Sequence, residues 1–216
     1  MKNYLISKDI PENRVFVTGI PISSRFLKNY NKQEILNEFN LENNKKNILF
    51  FAGGEFGLGK NKTLQIFEDL IKNFENIQVI AIAGKNEKMK LHFESIVKKY
   101  NKEKNVIVLE YTNKVPELMA ISDLVISKPG GLTTSESLAS NLPMIIINPI
   151  PGQEEENAEF LESKGTGIWI RKNDSPYEVL KNIIDNPEKL DEMKKNTKFL
   201  AKKNSTEDIC KTILNT

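Results

Sequence analysis

The sequence predicts an α/β fold: a Rossmann-like, doubly wound parallel sheet of about six strands, followed by C-terminal helices. Three observations predict it. Short, nearly continuous apolar runs recur along the chain, as in strands buried on both faces. Stretches of helical periodicity separate them, which argues a parallel sheet covered on both sides. Every glycine-rich or polar cluster falls just after a strand, where ligands bind in open sheets of this kind.

Taken in order, residues 14–18 are a short strand candidate, ended by Gly19 and Pro21. Residues 32–39 read as a short helix and 41–46 as loop. The run Asn47-Ile48-Leu49-Phe50-Phe51-Ala52 is the first buried strand. Helical periodicity follows over 63–74, with Leu64, Phe67, Leu70, Ile71 and Phe74 on one side. Residues 77–83 are the second strand, ended by Gly84, and 87–100 the second helix. Strands are then expected at 106–109, 124–127, 144–147 and 167–170. Helices are expected at 115–121, at 132–140 and around 157–163. From Ser175 onward the pattern is helical: 177–184, then a helix with Pro187 in its first turn running toward Ala201, then 206–214.

Composition narrows the function classes. The formal net charge is +2, and only three of the 31 basic residues are arginine (Arg14, Arg25, Arg171). Lysines are spread along the chain among acids, so no concentrated basic patch points to nucleic acid. No run of 18 apolar residues is present, and the N-terminus lacks the apolar core of a secretion signal. The single cysteine, Cys210, has no internal disulfide partner, and the expected setting is cytoplasmic. The only histidine, His92, falls in the middle of a helix and reads as structural. Consequently no histidine serves as a base at the strand ends, and no Cys/His metal set exists. Trp169 reads as core.

Four clusters carry chemistry. Gly53-Gly54-Glu55-Phe56-Gly57 leaves the first strand, and its glycines suit close approach of backbone N–H groups to an anion. It lacks the lysine and spacing of a P-loop and the three-glycine dinucleotide pattern. A merely tight turn is the alternative. Lys128-Pro129-Gly130-Gly131-Leu132-Thr133-Thr134-Ser135-Glu136 is the sharpest signal. It opens a helix, whose free N–H groups suit an anion. Glu136, one turn further, suits a ribose diol. The alternative is a capping box of Thr133 with Glu136. In Pro151-Gly152-Gln153-Glu154-Glu155-Glu156-Asn157, Gln153, Glu154 and Asn157 suit sugar hydroxyls. Glu155 and Glu156 read as surface residues favoured by the helix dipole. Tyr111-Thr112-Asn113 ends the third strand; a base stacks or pairs there, or the segment is a plain turn.

Together these clusters resemble the processive diacylglycerol glucosyltransferases of bacteria and the monogalactosyldiacylglycerol synthases of plastids, within glycosyltransferase family 28. The matching residues are Val17-Thr18-Gly19-Ile20-Pro21-Ile22, the run from Gly53 to Gly59, the run from Lys128 to Ile146, and the run from Pro151 to Gly167. The Pro-Gly-Gln-Glu form at 151–154 is similar to the diacylglycerol branch, since the peptidoglycan branch typically has His-Gln there. The resemblance implies the C-terminal half of a GT-B fold, with residues 1–45 a residual junction from an N-terminal acceptor domain and 46–216 the donor-binding domain. It implies a UDP-glucose or UDP-galactose donor, no other cofactor, and a diacylglycerol acceptor. Gly53, Gly54 and the amides of Gly131, Leu132 and Thr133 would face the pyrophosphate, with Gly130 beside them. Glu136 would hold the ribose, Gln153 with Glu154 or Asn157 the hexose, and the segment near Tyr111 the uracil. Glu55 more readily faces sugar hydroxyls than phosphate.

The resemblance further implies an inverting transfer whose base comes from the N-terminal domain, so no catalytic residue is assigned in this chain. The isolated domain is expected to bind donor weakly, to transfer no sugar, and to expose apolar surface or self-associate. The full enzyme is expected to lie peripherally on the cytoplasmic face of a membrane. Two other readings remain: a UDP-N-acetylglucosamine-using peptidoglycan-type transferase or epimerase-like enzyme, and a non-catalytic UDP-sugar-binding module.

Overall fold

A computed structural model describes residues 2–52 and 59–214. Along the chain run α1 (Lys2–Ile6), α2 (Lys32–Glu38), β1 (Lys46–Phe51), α3 (Lys60–Asn73), β2 (Ile77–Ile82) and α4 (Glu87–Lys99). There follow β3 (Val106–Leu109), α5 (Val115–Ile121), β4 (Leu124–Ser127), α6 (Gly131–Ala139), β5 (Met144–Ile146), α7 (Gln153–Ser163) and β6 (Gly167–Trp169). The chain closes with α8 (Pro176–Ile184), α9 (Pro187–Leu200) and α10 (Ser205–Leu214). From β1 onward the elements fall within a few residues of the sequence expectation.

The six strands form one parallel sheet in the order β3-β2-β1-β4-β5-β6. Successive side chains of a strand point to opposite faces, so a strand covered on both sides must be apolar throughout. In β1, Ile48 and Phe50 enter one core cluster while Leu49 enters the other. All six residues of β2 are buried, as expected of a strand paired on both edges beneath two helical layers. The first cluster takes in α3, α4, α8 and α9. It centres on three rings, with Phe50 set edge-on to Phe67 and Phe93 at centroid distances of 5.3 and 5.6 Å. The second cluster takes in α2, α5 and α7.

The opposite, N-terminal ends of the strands are closed by a polar network. Buried Gln78 donates to Asn47 Oδ1 at 2.9 Å and to the Glu42 carbonyl at 2.9 Å, and accepts from Glu42 N at 2.7 Å. Asn47 donates to the Ile121 carbonyl at 3.0 Å. Both side chains are thus satisfied where they are most buried. This end is structural.

Some expectations change. Residues 14–18 form no strand; Glu12–Arg14 is a short 3₁₀ turn, and Phe16 and Val17 are exposed. An apolar stretch needs a neighbouring strand to become one, and none lies beside it among the described residues. Short helix α2 buries Ile35 and Leu36 in the second cluster. His92 lies on the exposed face of α4. Trp169 is only partly buried, its ring 4.7 Å beneath the Arg171 guanidinium. No helix among the described residues is long and apolar enough to cross a membrane.

Candidate functional site

The sheet order reverses between β1 and β4: from β1 the chain crosses to β2 on one side, and β4 begins the other half. Loops leaving two such strands part in opposite directions and open a crevice at their carboxyl ends. A cleft of about 270 Å³ lies there, lined by Phe51, Ile82, Gly84, Ser127, Lys128, Gly130, Thr133 and Glu154. Ends of β1, β2 and β4 thus supply the floor, and the starts of α6 and α7 the wall.

Helix α6 begins at Gly131 with Gly130 as its N-cap, and no side chain caps it. The capping box of Thr133 with Glu136 does not form, because the helix starts two residues before Thr133 and places Thr133 inside the first turn. The first amide bonded back within the helix is that of Thr134, to the Gly130 carbonyl at 2.8 Å. The amides of Gly131, Leu132 and Thr133 therefore open the helix without intrahelical acceptors. A Cβ on Gly130 would sit 3.6 Å from Glu154 Oε1, an ordinary contact, so nothing among the described residues demands glycine there. At Gly131 a Cβ would be tight, 3.1 Å from Ile20 Cδ1, the end of a side chain that is 40% exposed. The Leu132 side chain is 60% exposed, so its part in any site is through its backbone.

Glu136 is the electrostatic anomaly. Its carboxyl is partly buried, and burial alone raises its pKa above the ordinary carboxylate value. Among the described residues it has no hydrogen-bonding or charged partner. A carboxylate kept from water with no compensating group is costly, and such groups concentrate at functional sites.

The remaining sequence candidates sort by position. Gly53, Gly54 and Glu55 lie outside the described residues. Glu154 reaches the cleft, but its Oε2 is already occupied, accepting from Ile150 N at 2.7 Å. Gln153 lies near Gly131, its Nε2 3.8 Å from where a Cβ would stand, and is otherwise exposed. Asn157 is not brought to the cleft; its Nδ2 donates to the Pro129 carbonyl at 2.8 Å and ties α7 to the loop before α6. Tyr111 follows β3 at the sheet edge, is 71% exposed, and does not line the cleft either.

Two residues that the sequence reading passed over matter here. Lys128 lines the cleft as its only cation among the described residues. Its signal was available, a base placed directly between a buried strand and a glycine pair. Asn148, just past β5, takes a left-handed backbone (φ 43°) and donates to Thr63 Oγ1 at 2.9 Å and the Gly59 carbonyl at 3.2 Å. It pins the start of α3 to the end of β5. Gly59 itself has φ 78°, and any Cβ there would overlap the Asn148 side chain.

Comparison with known proteins fits this geometry. A processive diacylglycerol beta-glucosyltransferase from Staphylococcus epidermidis (strain RP62A) is 38% identical over 215 residues, 99% of this chain and 53% of that protein. One from Bacillus licheniformis is 35% identical over 214 residues, 99% of this chain and 55% of the relative. The chain spans about half the length of the curated relatives it matches. Two solved structures share the fold. The UDP-GlcNAc 2-epimerase from Neisseria meningitidis bound to UDP-GlcNAc superposes with a TM-score of 0.72 at 20% identity, over 100% of this chain and 59% of that one. Acinetobacter baumannii MurG does so with a TM-score of 0.70 at 18% identity, over 91% and 58%. Residues 32–213 match the family model for the glycosyltransferase family 28 C-terminal domain, and it is to this family that the chain belongs.

Proposed function

We propose that this chain binds a uridine diphosphate sugar in the cleft at the ends of β1 and β4, as the donor-binding half of an inverting hexosyltransferase that makes glycolipid. Glu136 carries the reading: it is not in the cleft lining itself but lies three residues along α6 from Thr133, which is. A ribose presents two adjacent hydroxyl donors, and an ionised carboxylate is an acceptor for both. Such a ligand supplies the partner that Glu136 lacks among the described residues. The amides of Gly131, Leu132 and Thr133, with Gly130 leaving room, would take the diphosphate at the start of α6. Gln153 and the free oxygen of Glu154 would meet hexose hydroxyls. Gly53, Gly54 and Glu55 enter this reading only through the family resemblance.

The named relatives make UDP-glucose the first donor to try, with UDP-galactose second, and diacylglycerol the acceptor. In the transfer, the acceptor oxygen bonds to the anomeric carbon as the bond to the diphosphate breaks. UDP departs, and the acceptor proton passes to a base. That base would come from an N-terminal acceptor domain, in cis or in trans, working at the cytoplasmic face of a membrane.

Calorimetric titration with UDP tests the donor site. The Glu136→Ala variant should bind UDP about 10- to 100-fold more weakly than the wild-type chain, the scale of losing charged hydrogen bonds. A folded wild-type chain that takes up no UDP would overturn the proposal.

A further inference from the structure

We infer that Lys128 is the residue that neutralises the diphosphate of the bound nucleotide, and so makes the cleft select nucleoside diphosphates over nucleosides. The assignment rests on the nucleotide-sugar reading of the cleft and adds to it a residue and a specificity.

Lys128 follows the last residue of β4 and is partly buried in the crevice where the sheet order reverses. Among the described residues its ammonium has neither an ion pair nor a hydrogen bond. Three other cations near this end of the sheet are committed, and Lys60 and Lys85 do not line the cleft. Lys62 donates to the Ile170 carbonyl at 3.0 Å, Arg25 is paired with Glu117 at 2.9 Å, and Arg171 with Glu162 at 2.6 Å. Glu154, the one carboxylate in the described lining, caps its own loop through Ile150 and forms no ion pair with Lys128. With no partner among the described residues, the Lys128 charge makes no ion pair that supports the fold. It has a purpose if an anion enters. Lysine suits phosphate as a compact point charge with three donors on a flexible stem. Here it stands at the base of the crevice, while Glu136 lies about one turn along α6. One ligand with an anion at one end and a diol beyond it satisfies both groups, and a nucleoside diphosphate has that shape.

Uridine, UDP and inorganic pyrophosphate are the probes, titrated into the wild-type chain and into Lys128→Met and Lys128→Arg, with binding followed by protein-observed NMR. Lys128 makes no bond within the described chain, so Lys128→Met should fold and melt as the wild type does. Expected are a roughly 10- to 100-fold loss of UDP affinity in Lys128→Met, unchanged uridine affinity, recovery of most UDP affinity in Lys128→Arg, and pyrophosphate competing with UDP only when residue 128 is basic. UDP binding within twofold of wild type in Lys128→Met would overturn the assignment and leave the donor site standing. So would a wild-type chain that binds UDP no more tightly than uridine. A folded wild-type chain that binds neither uridine nor UDP would overturn the donor reading, and Lys128 with it.

Discussion

The Glu136 carboxyl sits partly out of water with no partner among the described residues, and the sign of its raised pKa has two consequences. The folded chain holds the Glu136 proton more tightly than the unfolded chain does. Its contribution to stability is therefore fully present below the ordinary carboxylate pKa and lost as pH rises through the raised folded value. Replacing it with the uncharged Glu136→Gln should stabilise the chain at pH 7 in urea denaturation, and the gain should vanish as the solution is acidified. Nucleotide binding should run the other way. A diol donates to the ionised carboxylate, so UDP affinity should fall as pH drops through the Glu136 titration, and in Glu136→Gln it should be weak and flat. Equal pH profiles for the two proteins would show that Glu136 does not titrate against the ligand.

Helix α3 illustrates how an element is aimed. Its buried face, Ile66, Phe67, Leu70 and Ile71, sets it on the sheet, but its first turn is fixed by Asn148 and by Lys62, which donates to the Ile170 carbonyl at 3.0 Å. Gly59→Ala should cost about 2–4 kcal/mol in urea unfolding, since it combines a left-handed alanine with eviction of the Asn148 amide. Phe67→Ala should cost about 3–5 kcal/mol, because the ring is wholly buried against Phe50 and Phe93. The two should differ in function. Phe67 does not line the cleft, so UDP affinity of the still-folded fraction should change little. Displacing the first turn of α3 releases its tie to Asn148 at the carboxyl ends of the strands, and affinity should fall with stability.

For the whole molecule, the decisive property is the face it presents around the cleft. Phe16, Val17, Ile20, Leu132, Ile150 and Phe160 are all exposed, and several of them border a second, mainly apolar groove of about 280 Å³ between the 17–22 segment, α6 and α7. This segment is tied to the approach to α10, where Ser205 Oγ donates to the Ile20 carbonyl at 2.9 Å. On the proposed division of labour, the base that activates the acceptor hydroxyl comes from an N-terminal domain. Purified chain given UDP-glucose and diacylglycerol vesicles should therefore yield no glycolipid by thin-layer chromatography; steady product formation would mean that this chain holds its own base.

The sequence by itself determined the fold class, the alternation of strands and helices, and the clusters at strand ends. Apolar runs such as 48–52, helical spacing and glycine pairs are local properties, and burial on two faces writes itself directly into side-chain type. Glu136 was legible for the same reason, one turn past a glycine pair. Tertiary structure decided what strand order decides. Tyr111 looked equivalent to the other strand-end residues, yet β3 is an outer strand of the sheet, while Lys128 directly follows β4, beside the reversal. Asn148 meets Gly59 across 89 residues of sequence because β5 packs two places from β1. Glu154 loses one oxygen to its own loop, and residues 14–18 stay unpaired for want of a neighbour. Periodicity tells a residue which way to face within its element, and only packing of distant segments tells it what stands opposite.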